Sequence, residues 1–117
     1  MTALTNIVTA LVAILHLGFL VLEMFFWNHP FGRKRFGMTP EYSQATASLA
    51  ANQGLYNGFL AAGLIWGLWT DQLAVKMFFL TCVVIAGIFG GFTAKRSILY
   101  LQALPGLLAL ILLYLSK

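Results

Sequence analysis

The sequence predicts an all-α integral membrane protein, an antiparallel bundle of four transmembrane helices forming a single domain over residues 1–117. Three observations predict it. Hydrophobic residues make up 61% of the chain and charged residues only 9%. A soluble domain carries about a quarter of its residues as charges, so the material for a solvated surface is missing. Apolar stretches near the roughly 20 residues needed to cross a bilayer recur four times. The breaks between them are short, and short connections make successive helices antiparallel neighbours.

The first helix is expected over residues 3–27. Its leading "MTALTN" holds no lysine or arginine and its apolar run outlasts a signal-peptide core, so it is expected to stay on the chain. The second helix is expected over residues 40–69. In "MTPEY", Thr39 can cap it, Pro40 suits its first position and Glu41 suits the positive end of its dipole. A short turn at "TDQ" leads to the third helix, residues 73–93, with Asp71 as its expected cap. The fourth helix, residues 98–115, contains Pro105. Proline lacks an amide hydrogen and frees the carbonyl of Leu101, which predicts a kink. The single cysteine, Cys82, reads as a small packing residue; with no CxxC or His/Cys cluster, neither metal nor cofactor is expected.

The net charge is +4. Arg33, Lys34 and Arg35 follow the first helix and Lys95 and Arg96 follow the third, whereas the other side holds Lys76, Lys117 and the terminal amine. Basic residues stay on the cytoplasmic side, so both basic loops are expected inside and both termini outside a bacterial inner membrane. Lipid headgroups, not nucleic acid, are the expected partners of these five cations, which could hold an anionic group at the mouth of a pocket.

Glu23 lies inside the first helix, where an unpaired carboxylate is costly and an acid marks function by default. His16 is two turns earlier and Trp27 one turn later on nearly the same face. Counting about 1.5 Å per residue, Asn52 and Gln53 come level with Glu23, and Asn57 with His16. These groups, with Tyr56, Tyr100 and Gln102, are expected to form a polar pocket in the cytoplasmic half. Glu23 and His16 would exchange a proton there, and the remaining seven, Trp27 included, would bind the ligand. The outer half is expected to hold little that is polar beyond threonines. Gly54 and Gly58, Gly63 and Gly67, and Gly87 and Gly91 form GxxxG pairs, which permit close helix approach and a homodimer.

"EMFFW", the basic loop with "FG" and above all "NQGLYNGFLAAGLIWG" resemble a family of small four-helix bacterial membrane proteins defined as a domain of unknown function. Glu23, Trp27, Asn52, Gln53, Gly54, Tyr56, Asn57 and Gly58 carry the resemblance, which names no reaction. The intramembrane acid with carboxamides is also similar to sterol isomerase-type membrane enzymes, although a second buried carboxylate is absent. Three functions follow. The first is a site that binds, and could convert, a small amphipathic or lipid-like molecule. The second is an accessory subunit whose polar cluster only holds helices in register. The third is a homodimeric proton-coupled exporter, similar in size and helix-1 glutamate to the small multidrug resistance transporters.

Overall fold

A computed structural model of the protein describes residues 2–116; Lys117 and the terminal amine, counted above among the outer charges, lie outside them. The described residues form α1 (Thr2–Phe25), α2 (Pro30–Phe36), α3 (Pro40–Thr70), α4 (Leu73–Thr93), a π-helical turn (Leu99–Ala103) and α5 (Leu104–Ser116). Among the described residues, three helical stretches are long and apolar enough to cross a membrane: α1, α4 and the run Leu99–Ser116. The longest of the described helices, α3 with 31 residues, is not among them, because its first eighteen residues carry Glu41, Gln44, Asn52, Gln53 and Asn57.

Side chains are distributed the wrong way round for water. Along α1, Leu4, Ile7, Leu11 and Ile14 are exposed while Thr5, Thr9 and His16 are buried with Val12 and Ala13. A helix on a soluble protein turns its apolar stripe inward. Helix α4 repeats the pattern, exposing Phe78, Ile85, Phe89 and Phe92 while burying Lys76.

Thr39 caps α3 as its sequence context suggests: its hydroxyl accepts the amide of Tyr42 at 3.1 Å, and Pro40 opens the helix. Asp71 does not cap α4. That position falls to Gln72, whose side chain makes no capping bond. The connection expected as a basic loop contains α2. His29 caps it, its Nδ1 accepting the Phe31 amide at 3.1 Å, and Gly37 ends it with a left-handed φ of 63°. Arg33, Lys34 and Arg35 occupy its last turn, where cations meet the negative end of the dipole. At the kink expected from Pro105, the amide of Leu104 bonds the carbonyl of Leu99, five residues back. The helix thus widens just ahead of the ring that cannot donate.

The chain forms two compact units, Met1–Leu15 with Leu60–Lys117 and His16–Phe59. The core of the first joins Val12 and Ala13 of α1, Leu64 of α3, Leu80 and Val83 of α4, and Ala109 and Leu113 of α5. Small residues let these helices meet. A Cβ on Gly87 would stand 2.7 Å from the backbone nitrogen of Ala103, and Gly63 lies under the ring of Phe79. Gly67 lies against Lys76, Gly91 against Leu99, and, in the second unit, Gly54 and Gly58 against α1. All three GxxxG pairs therefore meet side chains or backbone of this chain.

Candidate functional site

In the second unit, α3 presents Gly54 and Gly58 to the last turns of α1. A Cβ on Gly54 would lie 2.7 Å from Cγ of Met24, 3.1 Å from Cβ of Glu23 and 3.2 Å from the carbonyl oxygen of Leu20. Only glycine admits the α1 backbone this closely. Asn57, one turn beyond Gly54, then reaches Glu23: its Nδ2 donates to Oε1 at 2.6 Å. Both side chains are half-buried. That distance is at the short end for an amide donor on a carboxyl oxygen.

Beyond the end of α1, Trp27 Nε1 donates to Thr46 Oγ1 at 3.0 Å, and the indole packs on the ring of Phe36. Asn28 ties the connection together. Its Oδ1 accepts from Arg33 Nη1 at 3.0 Å and from the buried hydroxyl of Ser43 at 2.7 Å. Arg35 lies over the Phe36 ring at 5.6 Å, and Lys34 is exposed.

Of the residues expected to surround Glu23, the structure brings Asn57 to it and leaves others elsewhere. Asn52, Gln53 and Tyr56 are exposed. At about 100° per residue, Gln53 is a quarter-turn and Asn52 more than half a turn away from the Gly54 face that meets α1. Matching depth was necessary for the pocket but left the direction around the helix open. Asn57 meets Glu23, not the level of His16. His16 is fully buried, with its ring edge-on to Phe19 at 5.1 Å, and sits about 10 Å along α1 from Glu23. In the other unit, Gln102 is buried and donates to the Val83 carbonyl at 3.1 Å, while Tyr100, Lys95 and Arg96 are exposed.

The first unit holds a second polar group around Lys76, a residue that the sequence offers only as one of the outer charges. Lys76 has a side chain only 5% exposed; its Nζ lies 2.8 Å from Oδ1 of Asp71 and 3.5 Å from Oδ1 of Asn6. Its stem is buried because it crosses Gly67, where a Cβ would come within 2.9 Å of Lys76 Cγ. The spacing Gly67–Lys76 across the turn was the available signal. Asp71 has a positive φ of 50°, and the hydrogen bond and charge of Lys76 hold its carboxyl below the usual range. Beside this pair, Thr5 and Ser116 hydroxyls meet at 3.0 Å, and Thr9 donates to the Thr5 carbonyl at 2.8 Å. Together with Thr2 and two leucines, Thr5, Asn6, Asp71, Lys76 and Ser116 line a cavity of about 230 Å³.

The chain is similar to the uncharacterized protein YpaA of Lactococcus lactis subsp. lactis (strain IL1403), with 30% identity over 115 residues that cover 95% of this chain and 97% of that protein. No solved structure matches it. The model of a family described as protein of unknown function (DUF1304) matches residues 10–114. Since that match takes in both Glu23 with Asn57 and Lys76 with Asp71, the polar pairs lie within what the family model covers, and the chain belongs to the DUF1304 family.

Proposed function

We propose that the protein is a single-domain, multi-pass protein of the bacterial inner membrane, with α3 as a fourth span and Glu23 as the ionisable centre of a site for a small amphipathic or lipid-like molecule. The observation that carries the reading is the 2.6 Å bond from Asn57 to Glu23 where glycines bring α3 onto α1. A carboxylate at membrane depth is expensive, and one neutral partner leaves its second oxygen available to a ligand hydroxyl or amine as carboxylate, or to a ligand carbonyl once protonated. The half-buried Trp27 offers an indole face near the end of α1. In this reading α2 and the Lys95–Arg96 segment lie on the cytoplasmic side, where their cations meet anionic headgroups. His16, Tyr100 and Gln102 would contribute only if ligand binding rearranges them, and the exposed Asn52, Gln53 and Tyr56 would meet ligand or a second copy of the chain.

The test is Glu23→Gln, which keeps the shape and removes the charge. The purified chain in lipid nanodiscs is titrated with decylubiquinone and farnesol as quinone- and isoprenoid-type probes, read by tryptophan fluorescence. The variant is expected to bind at least about tenfold more weakly. Equal binding by both proteins would favour the accessory reading, in which the pair is a clamp between helices and nothing more.

A further inference from the structure

The Lys76 cluster has the makings of a site of its own, and it does not depend on the reading of Glu23. Lysines at helix ends ordinarily run their stems along apolar surface and keep the ammonium in water. Lys76 does not: Gly67 admits the stem, and the side chain is 5% exposed. A charge so enclosed requires a counterion. The one it has comes from the turn rather than from a packed helix. Asp71 is 81% exposed, and its backbone is held at a φ of 50°, which a non-glycine residue adopts only at a cost. The pair is therefore lopsided, a fixed enclosed cation and a hydrated, peripheral carboxylate.

The other groups facing the cavity suit an oxyanion. An ammonium has three donors; one is on Asp71 at 2.8 Å and one makes only a long 3.5 Å contact to Asn6. The Thr2 hydroxyl can turn a proton inward and the Asn6 amide adds two more, while the Thr5 and Ser116 hydroxyls, bonded to each other and to the Leu112 carbonyl, shape the wall. The cavity, about 230 Å³, is many times the roughly 15 Å³ of such space that one water needs. We propose that this cavity binds a phosphate or carboxylate group, which replaces Asp71 on the Lys76 ammonium. Asp71 is then the site's internal competitor: it neutralises Lys76 when the site is empty and swings into water, where it is already mostly hydrated, when the site fills.

Two sources share this chemistry, free anions and the headgroups of anionic lipids. The full chain in phosphatidylcholine nanodiscs is titrated with inorganic phosphate by calorimetry, and nanodiscs containing phosphatidylglycerol are examined by native mass spectrometry for retained lipid. Asp71→Asn, which removes the competitor, is expected to tighten binding of one of the two probes by about tenfold; Lys76→Gln is expected to abolish it. The probe that responds identifies the source. Should Lys76→Gln fail to fold, the comparison of Asp71→Asn with the wild type decides alone, read as protection from thermal unfolding by phosphate or by phosphatidylglycerol. If Asp71→Asn binds neither probe more tightly than the wild type, or Lys76→Gln binds as well, Lys76 is a structural ion pair and the proposal is wrong.

Discussion

At the scale of single residues, the contrast between Asn57 and its neighbours is the sharpest. Asn52 and Gln53 are chemically equivalent to Asn57, yet only Asn57 sits on the glycine-lined side of α3 with its amide on Glu23. Asn57→Ala is expected to lower stability by about 1 kcal/mol, near the upper part of the range for interhelical bonds in membranes. Asn52→Ala and Gln53→Ala should stay within about 0.5 kcal/mol; thermal melts in one lipid would compare all three. Asp71 provides a pH dependence whose sign is fixed. Its folded-state carboxyl is lowered by the hydrogen bond from Lys76 and then by that group's charge. The pair's contribution is therefore complete above the ordinary carboxylate value and fades as pH falls through the depressed one. Melting temperature followed from neutral to acid pH should show a loss that Asp71→Asn lacks. What could be read in the sequence here was that an acid and several amides share a depth. Which amide turns toward the acid depended on glycines whose partner helix the chain does not announce.

At the scale of elements, helix ends were legible where their chemistry is local and opaque where a distant group competes. Thr39–Pro40–Glu41 specifies the start of α3 within three residues, and the Thr39 hydroxyl does what that spacing asks. Asp71 looked equally suited to capping, but Lys76, brought close by the turn and given room by Gly67, takes the carboxylate instead. Helix α2 carried a readable signature, proline at its first position and glycine just past its end, that its basic character hid. Packing between α1 and α3 gives two opposed expectations for one substitution. Gly54→Ala places a methyl against Met24, Glu23 and Leu20, and overpacking of this kind costs roughly 1–3 kcal/mol. Gly18→Ala, with nothing within 4 Å of the added carbon and a helical backbone, should raise stability by roughly 0.5–1 kcal/mol. Loss of the Asn57–Glu23 bond in Gly54→Ala would show in infrared spectra as a shifted carboxylate band.

At the scale of the whole molecule, the arrangement of exposed leucines and isoleucines over buried threonines carries the membrane assignment further than composition does. Leu11, exposed on α1, tests it directly. On a soluble protein an exposed Leu→Lys change is nearly neutral. Within a span it costs about 2.5–3.5 kcal/mol of insertion free energy, so Leu11→Lys is expected to deplete the chain from the membrane fraction of expressing cells. The sequence made the apolar spans legible because hydropathy is summed over many residues. It left the packing partners illegible, since each depends on two distant positions. The reversed distribution also changes what stability means for this protein. Because its outer side chains are at ease only among acyl chains, the surrounding lipid is a reactant in the folding equilibrium, and unfolding free energies measured in two different bilayers describe two different reactions.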